Sequence, residues 1–274
     1  MTEIMLQTVL EEDELYYLLA TVAAKRVWGL DNTRLFPQMA LAPDADPIIV
    51  ASREARLANG LALLKAHGWI LPAAHDTWDI NGGLVQMVAT IADPEIVLTT
   101  TYFLAPTTKA VLAYYLAHPL IVEVAQLEDA TYRVASLPSL PFLLTRMGQT
   151  IDLPANGVIV NAQPLFVAPD VFRDAAKHRH GAGVKGRVGA DEATALAQLL
   201  ADAHLRAEIG LARTTGDELL TQITLTLFAA KGMIWMAHET EVNLIRLEPL
   251  TMTVFSDTIT SAVQQLLQIR PEKR

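Results

Sequence analysis

The sequence predicts an α+β fold made of two similar halves, each an antiparallel meander closed by a helix, in a quasi-twofold relation and flanked by further helices. Three observations predict it. Residues 91–150 and 200–268 carry the same succession: the end of an apolar helix, four short runs of strand character, and an amphipathic helix. The spacing is kept, since Ile91 matches Leu200 at an offset of 109 while Leu137 and Leu140 match Leu247 and Leu250 at 110. The links between the strand-like runs are too short for crossover helices, so the strands must run antiparallel. The expected division is residues 1–154 for the first half and 155–274 for the second.

Taken in order, residues 1–9 offer a strand or a loose terminus, and Glu11, Glu12, Asp13 and Glu14 open a helix expected to run to Trp28. Its acidic start suits the positive end of the helix dipole and Lys25 and Arg26 suit the other end, with Leu15, Leu18, Leu19, Val22 and Val27 as the apolar stripe. Gly29 stops it. Residues 31–47 read as loop. Ser52 can cap a second helix to His67, burying Leu57, Leu61, Leu63 and Leu64. A third helix spans residues 79–91. The first meander follows as strands at 95–103, 110–117, 120–126 and 131–136, with Pro138 near the start of the closing helix. Residues 151–161 link the halves, and residues 166–176 read as a helix. An irregular stretch, 177–189, precedes a helix at 191–201.

In the second meander, Leu205, Ala207, Ile209 and Leu211 alternate with Arg206, Glu208 and Gly210, and Ile223, Leu225 and Leu227 alternate with Gln222, Thr224 and Thr226. Period-two alternation buries one face of a strand and leaves the other wet or open to a partner. Strands at 233–238 and 241–247 complete the unit, joined across Glu239 and Thr240, with Pro249 near the closing helix. The first of these is apolar on both faces (Met233, Ile234, Trp235, Met236), so one face must meet helices or a partner.

Composition narrows the function. The 274 residues are 51% apolar and include no cysteine, which excludes disulfides and thiolate chemistry and fits a reducing compartment, so a cytoplasmic location is expected. Residues 1–4 show no signal-peptide pattern and no apolar run approaches a membrane span, so a soluble protein is expected. The net charge of −9 disfavours nonspecific nucleic-acid binding.

No catalytic residue, cofactor or metal is assigned. Residues 181–186 spell GxGxxG, but a charged, helix-like stretch precedes them and no βαβ unit follows, which a dinucleotide site requires. His238 and Glu239 begin an HExxH pattern, yet Val242 stands where the second ligand belongs. The residues that stand out suit protein binding instead. Lys177, His178, Arg179, His180, Lys185 and Arg187 form a basic stretch among glycines in an acidic chain, fitted to an acidic partner. Together with Met233 and Trp235, the side chains of Arg179, His180, Lys185 and Arg187 are the expected partner surface, because only the second half has both this stretch and the two-sided apolar strand.

The order of elements, with Ser52-Arg53-Glu54-Ala55-Arg56, then Leu63-Leu64-Lys65-Ala66-His67-Gly68-Trp69-Ile70, then a helix ending in Ile91-Ala92-Asp93-Pro94, resembles EspG, the secretion-associated chaperone family of type VII (ESX) systems. The resemblance spans nearly the whole chain as a pattern of apolar residues and turns. It implies a quasi-twofold α+β fold with a central sheet and flanking helical bundles. It also implies a cytosolic chaperone that binds PE–PPE substrate pairs at the aggregation-prone tip of the PPE helical hairpin. Two other classes stand beside it. An enzyme would place a pocket with a perturbed acid or base between the halves, and a DNA-binding regulator would use the helix before Trp69 and Ile70 as a winged helix, though without a basic recognition face.

Overall fold

The computed structural model describes residues 6–24, 26–30, 47–73, 78–105, 108–127, 130–154, 164–172, 196, 198–200, 203–215, 218–240 and 243–269. The first-half elements are β1 (Gln7–Glu11), α1 (Glu12–Thr21), α2 (Pro47–Ala66), β2 (Ile70–Pro72), β3 (Trp78–Ile80), α3 (Gly82–Ala92), β4 (Ile96–Ala105), β5 (Thr108–Ala117), β6 (Leu120–Gln126), β7 (Thr131–Leu137) and α4 (Leu140–Thr150). The second half supplies β8 (Leu165–Val167), β9 (His204–Thr215), β10 (Glu218–Ala230), β11 (Met233–Glu239), β12 (Ile245–Pro249) and α5 (Met252–Gln268).

Ten strands form one antiparallel sheet in the order β1-β7-β6-β5-β4-β9-β10-β11-β12-β8. The order reads the same from both edges: a four-strand meander per half, each capped at its outer edge by a short strand from earlier in that half. The halves join where β4 pairs antiparallel with β9, from Ile96 opposite Arg213 to Tyr102 opposite Ala207. Thr100 and Ile209 face each other in this ladder and are also 109 positions apart, the offset read from the sequence, so the pseudo-twofold axis passes between them.

Helices cover both faces. On one, α4 and α5 lie over the middle of the sheet, and a single core runs across the junction, from Leu143, Leu144 and Met147 through Leu98, Ile209 and Leu211 to Phe255, Ile259 and Leu266. On the other, α1, α2 and α3 cover the first half through Leu15, Leu19, Leu84, Val88, Tyr115 and Tyr132. The second half is covered there by Val171, Leu196, Leu199 and Leu200, packed on Phe228, Trp235 and Leu247. Each fully buried aliphatic or aromatic side chain contributes about 1.5–3 kcal/mol.

Local chemistry explains the helix starts. Asn81 caps α3 by accepting from Gly83 and Leu84 N–H, Ser139 caps α4 through Phe142 N–H, and Thr251 caps α5 through Val254 N–H. At α1, Glu11 and Glu14 form a reciprocal capping box. Helices α1 and α2 cross closely because Gly60 of α2 lies against the backbone of Asp13. Beside this crossing Arg56 reaches Asp13 at 2.7 Å and Glu12 at 3.0 Å, and farther along His67 Nδ1 meets the buried Glu14 at 2.8 Å.

The structure departs from the sequence reading in several places. Helix α1 ends at Thr21 rather than Trp28; the chain turns through Ala23 at φ +54, and Trp28 returns to the sheet, where its carbonyl accepts from Tyr115 Oη at 2.6 Å. Helix α2 begins at Pro47, a residue suited to a first helical turn, and of the four leucines expected inside only Leu64 is fully buried. Phe166 belongs to edge strand β8, with helix only from residue 169. The last strand is Ile245–Pro249, because the β11–β12 link is a wider turn in which Thr240 N–H donates to the Leu244 carbonyl and Asn243 sits at φ +56. Pro249 therefore ends a strand and does not open a helix. Nor does the offset stay at 109–110: the caps Ser139 and Thr251 are 112 apart, since β10 has 13 residues against 10 in β5 and shifts register twice against β9. The stretches 31–46 and 173–195 lie outside the described residues.

The α1–α2 crossing makes a direct prediction. In Gly60→Ala the new methyl overlaps the Asp13 carbonyl oxygen, so the helices must separate. A loss of about 1–3 kcal/mol is expected, read as a lower midpoint in urea unfolding, and an unchanged midpoint would mean that the crossing is loose.

Candidate functional site

Of the expected partner residues, Arg179, His180, Lys185 and Arg187 lie outside the described residues. Met233 and Trp235 are described. Trp235 is 5% exposed and packs among Leu199, Leu200, Val171 and Leu247, with Met233 half-buried against the same cluster. Both faces of strand β11 are covered: Ile234 and Met236 point into the core under α4 and α5, and Trp235 and Ala237 into the second-half cover. The two-sided apolar pattern is thus met by helical residues of the same chain. A partner at this place would meet the cover, not the indole.

Among the described residues, sheet surface is left open between the two covers, on the face away from α4 and α5. Paired residues in an antiparallel ladder point to the same side, so the pairing defines rows across β5, β4, β9 and β10. One row is Val111, Thr101, Glu208 and Thr226; its neighbour is Ala113, Thr99, Gly210 and Thr224. Val111 is 42% exposed, and Glu208, Gln222, Thr224 and Lys109 are also exposed. The alternation that buries Leu225 and Leu227 and packs Ile223 against the same core sends Gln222 and Thr224 to this open side.

Trp28, Gly29 and Leu30 bound the strip on the first-half side. Gly29 adopts φ +77 and sits so close to Thr99 that a Cβ there would overlap the Thr99 methyl. The Arg26 guanidinium lies 4.7 Å from the Trp28 ring centroid, and Lys109 Nζ lies 5.0 Å from that of Phe103. Gly210 keeps the floor low, because a Cβ there would come within 2.8 Å of Thr99 Oγ1. The row through Val111, Thr101, Glu208 and Thr226 crosses four strands, about 14 Å at about 4.8 Å spacing, comparable with an α-helix of about 10–12 Å diameter; in the neighbouring row Ala113 is fully buried and Thr99 lies against Gly29, so the floor there is narrower.

A buried polar cluster lies inside the first half. Glu123 of β6 is fully buried; its Oε1 accepts from Arg133 at 3.0 Å and from Arg146 of α4 at 3.1 Å, while Oε2 has no partner among the described residues. Tyr114 lies directly opposite Glu123, with the Tyr102 hydroxyl as a neighbour. Burial pushes the Tyr102 hydroxyl up to about 12. Burial, then the neighbouring Tyr102 and Glu123 charges, push Tyr114 higher still. Tyr115, on the other face, is raised by complete burial and then by Tyr132. With Glu123 and these hydroxyls sealed in the core, the cluster holds α4 to the sheet and presents no acid or base to a substrate. Sequence reasoning missed it; the one signal was a glutamate inside an otherwise apolar strand run, Leu120-Ile121-Val122-Glu123-Val124.

Among the described residues no group of three His, Asp or Glu side chains is arranged to hold a metal ion, and no helix is long and apolar enough to cross a membrane.

No protein-family model matches the chain, and no curated protein matches it. Among solved structures it is similar to the Mycobacterium tuberculosis type VII secretion system chaperone EspG5, solved in complex with a PE25–PPE41 dimer. The similarity covers 98% of both chains with a TM-score of 0.62 at 13% identity. The chain therefore has the fold that its sequence resemblance implied.

Two predictions concern the buried cluster. Removing both arginines (Arg133→Ala with Arg146→Ala) strands the Glu123 charge and should cost about 3–5 kcal/mol, whereas Glu123→Gln, which leaves two half-exposed arginines in contact with water, should cost clearly less; equal losses in urea unfolding would contradict this. The tyrosines set an alkaline limit. Their pKa values are raised on folding, so their contribution to stability is complete below the ordinary value of 10.0 and is lost as pH rises toward about 12 for Tyr102. Ultraviolet titration should show these hydroxyls ionising only together with unfolding; early ionisation of all six tyrosines in the folded protein would refute it.

Proposed function

We propose that this protein is a cytosolic chaperone or adaptor of the EspG type, binding the tip of a helical-hairpin secretion substrate, such as a PE–PPE-like pair, to keep it soluble and direct it to type VII secretion. The observation that carries this reading is the fold likeness over 98% of both chains to a chaperone solved with such a dimer. The strip across β5, β4, β9 and β10 supports it physically. Its floor has the width of one helix, and its rim offers Trp28 and Phe103 with a cation near each ring. A polar floor with aromatic edges can hold an amphipathic helix tip and still release it, since little apolar area is committed. The basic residues Arg179, His180, Lys185 and Arg187 add a charge term, steering an acidic helix end toward an otherwise acidic protein.

The test is capture of the native partner from cytosol by tagged protein, with the bound chains identified. A helical pair is expected. Thr224→Arg and Gln222→Arg, both at exposed positions, should weaken capture about tenfold or more with unchanged folding, because a long charged side chain blocks the floor. Reversing Arg179 and Arg187 to Glu should slow association and flatten its salt dependence. If all four variants capture the pair as well as the unaltered chain, the strip and the basic residues are not the binding surface. Recovery of no helical protein would sink the chaperone reading itself.

A further inference from the structure

Glu208 lies on β9, next to the pseudo-twofold axis and in the middle of the ten-stranded sheet. Glutamate is depleted in strands, and a charge there is stabilised by an opposite charge close by on the same face. Two other strand glutamates have such partners: Glu123 meets Arg133 and Arg146, and Glu248 meets Arg246 and His238. The cross-strand neighbours of Glu208 are Thr101 and Thr226. Among the described residues its carboxylate forms no ion pair. Arg206 stands two residues before it, at a register shift against β10, and the Lys109 ammonium lies over the Phe103 ring; neither is paired with it.

The duplication marks this carboxylate as an addition to the fold. Thr99 holds the equivalent place in the first half, 109 positions earlier, and Thr101 is likewise the counterpart of Gly210. Of these four residues about the axis only Glu208 is charged, and on a floor of threonine and glycine its side chain is the longest. It is exposed, so in the free protein water solvates the charge. A helix lying along the strip displaces that water, and a carboxylate covered without a cation is strongly unfavourable.

We propose that Glu208 selects the occupant of the strip by charge. The helix that lies there carries a lysine or arginine on its contacting face, paired with Glu208, and a helix with an acidic or apolar residue at that place is rejected. This rests on the strip being the binding surface of the proposed function, and it adds the chemistry that the partner must bring. The selection works mainly by exclusion, since a like charge or an unpaired carboxylate penalises the wrong helix more than the ion pair strengthens the right one. It also fixes where the helix sits, because its cation must fall beside β9.

The probes are stapled helices of alanine and leucine, about 15 residues long and identical except for one central residue, which is lysine, glutamine or glutamate. They are added at millimolar concentration to the full chain and followed through the methyl signals of Thr101, Val111 and Thr226. The lysine helix is expected to bind about tenfold tighter than the glutamine helix and about a hundredfold tighter than the glutamate helix. The preference should vanish in Glu208→Gln and invert in Glu208→Lys, both at an exposed position. Equal affinity of the lysine and glutamine helices, or a lysine preference that survives in Glu208→Gln, would overturn the proposal. Thr224→Arg separates this result from the fate of the strip. If it blocks all three helices and no charge preference is seen, the strip stands as the site and only the role of Glu208 falls; if it blocks none, the helices bind elsewhere and both fall. Movement of the Val111 and Thr226 methyls in the free protein when Arg179 and Arg187 are changed to Glu would also overturn the proposal, by showing that the chain's own basic residues answer Glu208.

Discussion

The antiparallel pairing of β4 with β9 is the contact on which the rest of the architecture depends. It joins two meanders into one sheet and fixes their relative position through backbone hydrogen bonds, from Ile96 opposite Arg213 to Tyr102 opposite Ala207. A one-residue slip would turn every side chain of one half to the wrong face. If the first half turned, Leu98 would leave the core beneath α4 and α5 and Val97 the core beneath α1 to α3; if the second turned, Ile209 would leave the core beneath α4 and α5. Apolar patterning on two faces at once is what holds the register.

From that junction the two faces acquire different characters. Helices α4 and α5 meet over the pseudo-axis and bury the junction from one side, so residues of both halves share one core. On the other side each half has its own cover, and among the described residues the covers do not meet over the central strands. Threonines, a glycine and a glutamate stand there in rows (Thr99, Thr101, Gly210, Glu208, Thr224). A sheet whose centre is dry on one face and wet on the other is rigid and accessible at once, as a surface for a partner must be.

Symmetry in the backbone does not extend to the chemistry. Glu123 and Met236 occupy the fourth positions of β6 and β11 and face the same core layer. One draws in Arg133 and Arg146; the other is a methionine in an apolar neighbourhood. The matching arginine of the second half, Arg246, instead meets Glu248 at 2.6 Å on its own strand, with His238 at 3.5 Å from the same carboxylate. The first half therefore ties its closing helix to the sheet with a buried charge, whereas α5 rests on apolar contacts through Phe255, Ile259, Val263 and Leu266.

The sequence by itself determined the fold class, the four strands of each meander and the closing helices, because period-two and helical patterning record which face of each element is dry. It also determined that Gln222 and Thr224 face away from the core, through their alternation with Ile223 and Leu225. It carried the resemblance to a secretion chaperone family, and the solved structure of EspG5 has the same fold. It did not determine what covers a strand that is apolar on both sides, so Trp235, which looked ready for a partner, proved to lie under Leu199 and Leu200. Nor did it locate the Glu123 cluster, whose members are 10 and 23 positions from their common acid, or the open strip, assembled from strands about a hundred residues apart. Local patterning encodes the wet or dry side of each element. Which elements meet, and which surface they leave uncovered, is decided only when the β4–β9 ladder forms and the helices compete for the sheet.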